Sequence, residues 1–398
     1  MPTASNVGGR PAGRWLRRLG IVVLVLAAVE VVAAGLIIAA NRVLVKPIER
    51  TASFYRGQQA AARRFIGGNR DIWAFDGTLG WTTVGAERLG GRQTYPLDPP
   101  TEVVRVSAFG NSFVRGADLP AEQSWLSQLE SRFPRLEVMN FGIAAYGTDQ
   151  SYLQYLNEAR ARRSHVVIIG LAPDNLRRIV NVYRRFLSAA GPPLTKPRYL
   201  VDARGGLTLL PNPLPRQEDL EQLVSNPKIV TGFGRHDYWY EPLVFANPLY
   251  DWSAAVRLGT AFVTRIQTAF DRNRLDRKGM VNPGADAFRL ELALVGQFAE
   301  TARADGGLPV VVTLPDRRSI DRELAGKRGW LAPLVDSLRA AGHDVLDLTV
   351  PLVEATRAMG ADSVFTPGLH YTFAAGTRIA DWLGPQLLAR EAERRRPR

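Results

Sequence analysis

From Glu102 onward the chain alternates short runs of β-branched and apolar residues with longer amphipathic stretches, and this alternation restricts the folds open to it. Val103–Phe109, Leu136–Phe141, His165–Leu171, Leu308–Leu314 and Asp344–Leu348 read as strands. Glu122–Phe133, Asp149–Arg163, Ala287–Ala304, Leu331–Ala341 and Ala374–Arg395 read as helices. Parallel neighbours need a crossover about as long as a helix, so this spacing predicts a parallel sheet covered on both faces. Five such strands predict an α/β, flavodoxin-like doubly wound domain, with its ligand site beyond the carboxyl ends of the strands. The interval 187–285 breaks the rhythm: it is rich in proline and aromatics and shows no β–α alternation. A structureless loop of that length is unusual, so it reads as a partly ordered excursion, either a lid or substrate platform or padding without a role.

The second constraint lies at the amino terminus. Leu19–Ala40 is an apolar run broken only by Glu30. As a helix it would be about 33 Å long, enough for a hydrocarbon core of about 30 Å. Its 13 Leu, Ile and Val residues each favour insertion by about 0.3–0.6 kcal/mol, against about 3 kcal/mol for Glu30. The sum favours a transmembrane helix. Arg10, Arg14, Arg17 and Arg18 precede the run, which predicts a cytoplasmic amino terminus and an exported remainder, periplasmic or extracellular. A cleaved signal fits less well, because the apolar run is long and Ile38-Ala39-Ala40 is a poor cleavage site. A buried structural helix is the third reading. The expected organisation is a basic tail at 1–18, an anchor at 19–40, a helical arginine-rich stalk at 41–70 and one α/β domain at 71–398 with the inserted excursion. The carboxyl tail Glu393–Arg398 reads as a frayed basic end.

Composition narrows the chemistry. With 46% hydrophobic and 22% charged residues, the chain can bury a globular core. It has no cysteine, which excludes disulfides, thiolate zinc sites and cysteine nucleophiles. A net charge of +13 invites a nucleic-acid reading, but the arginines are scattered among acids and no nucleic-acid motif is present. A basic surface toward anionic lipid or acidic glycan accounts for the charge, so no nucleic-acid partner is expected.

Phe109-Gly110-Asn111-Ser112-Phe113 ends the first strand. A serine there is presented at the ligand side of the sheet, with turn amides available to an oxyanion. Serine needs a base within hydrogen-bond reach. Of the four histidines, His165 and His343 open predicted strands, at the opposite edge of the sheet. His236 lies in the excursion within Arg235-His236-Asp237. His370 follows the last strand, in Pro367-Gly368-Leu369-His370-Tyr371, on the same side as Ser112. Two further loops converge there: Asn140-Phe141-Gly142 through Gln150, where Gly142 can offer its amide and Thr148 or Asp149 can cap the following helix, and Ala172-Pro173-Asp174-Asn175.

In that order, Gly110-Asn111-Ser112, Asn140-Phe141-Gly142, Asp174-Asn175 and Gly368-Leu369-His370 resemble the four blocks of the SGNH/GDSL hydrolase family. Phe75-Asp76-Gly77-Thr78-Leu79-Gly80-Trp81 looks like the strand that often precedes the first block. The resemblance covers about residues 70–185 and 287–390. It implies Ser112 as nucleophile, His370 as general base, and an oxyanion hole made by the Ser112 amide, the Gly142 amide and the Asn175 side chain, with no cofactor or metal. Three positions depart from the family. Asn111 stands where Asp is usual, the third block reads Asp174-Asn175 rather than Asn-Asp, and the family's acid, three residues before the histidine, is Pro367. Either a Ser–His dyad operates, or a carboxylate such as Asp347 or Asp362 substitutes, or the site is inactive. The expected function is a membrane-anchored esterase or deacetylase acting on acyl esters, acetylated cell-envelope glycans among them. The alternatives are an O-acyltransferase of polysaccharide assembly, or a glycan-binding protein on the same scaffold without catalysis.

Overall fold

The computed structural model describes residues 12–44, 47–83 and 95–395. Arg10 and the end of the basic tail, 396–398, lie outside the described residues. The chain divides into two units, residues 1–59 with 240–271 and residues 60–239 with 272–398. The 187–285 excursion therefore contributes to both.

The larger unit is built on five parallel strands: β1 Val104–Gly110, β2 Leu136–Gly142, β3 Val166–Leu171, β4 Leu308–Thr313 and β5 Val345–Asp347. Their order across the sheet is β5-β4-β3-β1-β2. That is the flavodoxin-like order 2-1-3-4-5, with the switch point between β1 and β3. Each strand lies within a residue or two of its expected position. All seven residues of β1 and all six of β3 are buried, which explains why they read as continuous apolar runs rather than alternating ones.

Both faces are covered. On one, Val106, Ala108, Ile168, Val312 and Leu346 pack with Trp125, Leu129, Ile379, Leu383 and Leu387, from the helices Trp125–Arg132 and Phe373–Arg394. On the other, Phe109 stacks on Phe141 at 4.8 Å and meets the edge of Phe298 at 5.6 Å. Phe298 belongs to the helix Asp286–Ala304.

Two helices that follow the last two strands lie outside the expected set. Arg317–Leu324 is almost wholly polar but is capped by Asp316, whose Oδ1 accepts the Ser319 amide at 2.9 Å. Thr349–Met359 opens with β-branched residues and carries Pro351 in its first turn, where a missing N–H does no harm. The stretch expected as one helix over Asp149–Arg163 is instead the helix Thr148–Gln154, a wide turn at Tyr155–Ala159 and a tight one at Arg160–Arg162. Its cap is Gly147 rather than Thr148 or Asp149. Those two side chains are occupied elsewhere, Thr148 by Glu291 and Asp149 by Lys196 from the excursion. The segment around Gly77 forms a hairpin, Trp73–Asp76 against Gly80–Thr83.

In the smaller unit the amino-terminal helix runs over Ala12–Ala40. Among the described residues it is the one helix long and apolar enough to cross a membrane. Its side chains are exposed over most of its length, so it is not a core helix. A second helix, Ala254–Phe270, belongs to the same unit. The segment expected as a stalk contains the helix Thr51–Ile66, whose residues from Ala60 on belong to the larger unit, with Ala62 and Phe65 buried.

Truncating the aromatic that seals the second face of the sheet leaves a large void. Phe298→Ala should lower the unfolding free energy by about 3–5 kcal/mol, read from chemical denaturation of the full chain in detergent. A loss below about 1 kcal/mol would show that this face is not packed as described.

Candidate active site

Register brings the loops together. Gly110 at the end of β1 pairs with Gly142 of β2, and Phe109 pairs with Ile169 of β3. Three strands therefore end side by side at the sheet's carboxyl edge. Immediately past Gly110, Asn111 caps the short helix Ser112–Arg115, its Oδ1 accepting the Phe113 amide at 2.9 Å. Gly142 lets this turn lie against β2: a Cβ there would sit 2.3 Å from the Arg115 nitrogen.

The Ser112 hydroxyl donates to Nε2 of His370 at 2.9 Å. On its far side, His370 Nδ1 donates to Asp118 Oδ2 at 2.8 Å. Hydroxyl, imidazole and carboxylate thus form one continuous relay, in which the imidazole can take the serine proton while the carboxylate fixes its tautomer. The Phe113 ring packs on the imidazole, with ring centroids 5.0 Å apart.

Asp118 carries no motif signal in the sequence. It lies six residues after Ser112, beyond the left-handed turn at Gly116, and itself has φ of +73°. The proposed substitutes are elsewhere: Asp347 accepts from the Thr313 hydroxyl at 2.6 Å and the Thr349 amide at 3.0 Å, and Asp362 pairs with Arg317 at 2.8 Å. The reading without an acid, a dyad, is likewise replaced by a relay of three groups.

Pro367 has a turn-forming role. It is the second residue of a turn closed by the Leu369 amide donating to the Thr366 carbonyl at 2.9 Å, a position that suits its fixed φ. Gly368 follows because a Cβ there would fall 2.2 Å from Asp118 Oδ2. The loop that lacks the family's acid therefore leaves room for a carboxylate from the other side of the cleft. Thr366 anchors both partners: its hydroxyl donates to Asp118 Oδ2 at 2.6 Å and accepts from the His370 amide at 3.1 Å. Partial burial alone would raise the Asp118 carboxyl. The hydrogen bonds from Thr366 and His370, with the charge of the imidazole, outweigh it and hold the group below its ordinary value.

The departures at Asn111 and Asn175 belong to one buried network. Asn111 Nδ2 donates to Asn175 Oδ1 at 2.8 Å, and Asn175 Nδ2 donates to Thr148 Oγ1 at 3.1 Å. The Thr148 hydroxyl in turn donates to Glu291 Oε1. Asp174 pairs with Arg178 at 2.8 Å. The Gly142 amide, expected as an oxyanion donor, donates to Asn140 Oδ1 at 2.9 Å. His165 accepts the Arg105 amide at the opposite edge of the sheet. His236 lines a separate cavity with Arg198 and Asp286.

No protein-family model matches the chain, and no curated protein matches it. A solved structure from Desulfitobacterium hafniense DCB-2, described as belonging to the G-D-S-L family of lipolytic proteins, is 13% identical, covering 72% of this chain and 99% of its own, with a TM-score of 0.33. A second is also 13% identical, covers 72% and 97%, and has a TM-score of 0.34. Likeness this distant assigns neither activity nor substrate. On its strand order and the meeting of its four blocks, the fold is SGNH/GDSL-like.

Two predictions follow from this geometry. Asp118→Asn should reduce turnover of an activated acyl ester by about 100- to 10,000-fold, while Asp347→Asn and Asp362→Asn should change it less than threefold. The reverse pattern would move the acid elsewhere. The second concerns Glu291, whose carboxyl is pushed up to about 8, chiefly by burial, with the Asp149 charge adding to it against the Thr148 hydrogen bond. Between its ordinary value of 4.5 and about 8 the folded chain holds a proton that the unfolded chain releases. Stability should therefore fall as pH rises through that window and level off above it. Glu291→Gln should remove this slope, so its stability relative to wild type should improve from pH 5 to pH 8; an unchanged difference would refute a protonated Glu291.

Proposed function

We propose that this protein is a membrane-anchored serine esterase that acts on acyl esters through a Ser112 acyl-enzyme. The observation that carries the reading is the relay from Ser112 Oγ through His370 to Asp118, at 2.9 and 2.8 Å. A structural serine at a strand end needs neither an imidazole aimed at its hydroxyl nor a carboxylate behind that imidazole.

In this mechanism Ser112 Oγ attacks the acyl carbonyl as His370 Nε2 takes its proton. The imidazolium is stabilised by Asp118 and passes that proton to the departing alkoxide, leaving the acyl group on Ser112. Water then attacks the acyl carbon and gives its proton to Nε2. Collapse releases the carboxylic acid and returns the proton to Oγ. The negative oxygen of each tetrahedral intermediate would be met by the Ser112 amide and by the Asn175 N–H not used on Thr148, with Gly142 joining only if its amide leaves Asn140. Each donor removed should slow the reaction by about 100- to 1,000-fold.

The anchor reading rests on Ala12–Ala40, 29 residues or about 44 Å of helix. With Arg14, Arg17 and Arg18 at its amino end, the proposed orientation is amino terminus inside and α/β unit exported. An esterase so placed faces the cell envelope, and acetylated envelope glycans are the substrate class the family resemblance suggests.

A fluorophosphonate should label wild type at Ser112, Ser112→Ala should abolish labelling, and His370→Ala should slow it at least a hundredfold. Labelling that survives Ser112→Ala would move the chemistry to another residue. The labelled chain should sediment with membranes in high salt, and a reporter after Arg398 should be active outside. Release of a shortened soluble species would contradict the anchor.

A further inference from the structure

Glu30 interrupts the amino-terminal helix, yet its carboxylate is fully engaged. It accepts from the Ser253 hydroxyl, from the Ala254 amide at 2.6 Å and from the Ala255 amide at 3.4 Å. These are the opening amides of the helix Ala254–Phe270, which have no acceptor within their own helix. The acidic residue that looked like an interruption of the anchor is therefore a cap for a second helix, joining the two at a fixed level.

That second helix has its sides exchanged relative to a water-soluble one. Its buried residues are Ala254, Arg257 and Thr260, and Arg257 is satisfied by the carbonyls of Tyr250 at 3.1 Å and Asp251 at 3.2 Å. Its outward residues include Phe262, 66% exposed, and Phe270, 83% exposed, with Val263 and Ile266 between them. An amphipathic helix in water turns such residues inward. The apolar surface continues onto the anchor: Leu258, Gly259 and Phe262 share a groove of about 790 Å³ with Val25, Val29 and Leu36. No polar side chain lines it.

We propose that Ala254–Phe270 is a second membrane-contacting element, its Phe262–Phe270 face lying in the lipid of the same bilayer leaflet that Glu30 reaches. The proposal rests on reading Ala12–Ala40 as a membrane span. The occupant is lipid because the face is continuous with the flank of that span and is fixed to it through Glu30. A surface already bound to a membrane segment meets hydrocarbon before it meets another protein. The start of the helix can lie beside the span because its first two amides, Ala254 and Ala255, are accepted by Glu30.

The chain has no cysteine, so single cysteines report without background. Phe262→Cys and Phe270→Cys in the full chain, each carrying an environment-sensitive fluorophore, are to be reconstituted in phosphatidylcholine–phosphatidylglycerol vesicles. Val25→Cys serves as the anchor reference and Arg204→Cys as the exposed one. Doxyl-labelled lipid should quench positions 262 and 270 to within twofold of position 25, and aqueous iodide should quench them at least fivefold less than position 204. If position 25 is quenched by lipid while 262 and 270 respond to iodide, the anchor stands and this proposal falls. If position 25 itself responds only to iodide, the anchor reading has failed first. Labels at 262 and 270 shielded from both quenchers, with cross-links between copies, would mean a second copy covers the face, and would also overturn it.

Discussion

The site depends on how β1 is held between β2 and β3. Parallel pairing in register, Gly110 opposite Gly142 and Phe109 opposite Ile169, makes three strands end at one level. The turns that follow must then occupy the same small volume. Gly142 permits it by omitting a side chain where the Ser112–Arg115 backbone passes. The buried amides complete it, with Asn111 reaching across the sheet edge to Asn175. Without that pairing, Ser112 would still sit in a turn, but Thr148, Asn175 and Glu291 would have no reason to meet beneath it. The departures Asn111 and Asn175 form a donor–acceptor pair, which a carboxylate at 111 would have to replace with the opposite polarity.

The parallel sheet was legible because buried strands leave long β-branched runs, and β1, β3 and β4 are buried along nearly all their length. Ser112 and His370 could be read as candidates because strand direction decides which loops share an edge, although the helix Thr349–Met359 stands between the last strand and His370. Asp118 could not, for a physical reason. The contact that pairs it with His370 spans 252 positions and is created by a turn at Gly116 and a space at Gly368, neither of which carries a periodic signal. The position three residues before the histidine is Pro367, which has no carboxylate. The better signal was the glycine after it: Pro367-Gly368 builds a turn with a gap, and a gap beside an imidazole asks what fills it. The caps at Gly147 and the broken helix after Gln154 were hidden similarly, because Thr148 and Asp149 serve tertiary partners.

The amino-terminal run showed a comparable split. Its length and apolarity were readable from composition alone, whereas the partner of Glu30 was not. Ser253 and Ala254 are more than two hundred positions away, inside the segment that showed no regular pattern. That segment lacked a readable period partly because its longest helix buries Arg257 and Thr260 and exposes phenylalanines, which inverts the pattern by which a soluble helix is recognised.

If the relay is the working unit, Asp118 acts only through His370. The most direct measurement is a double-mutant cycle on kcat/KM for an activated acyl ester, comparing Asp118→Asn, His370→Ala and the two together. The account predicts strong non-additivity: once His370 is gone, Asp118→Asn should cost less than threefold further, although alone it costs at least a hundredfold. Independent, multiplying losses would contradict it, since they would mean that Asp118 serves the reaction, or the fold, by some route other than the imidazole.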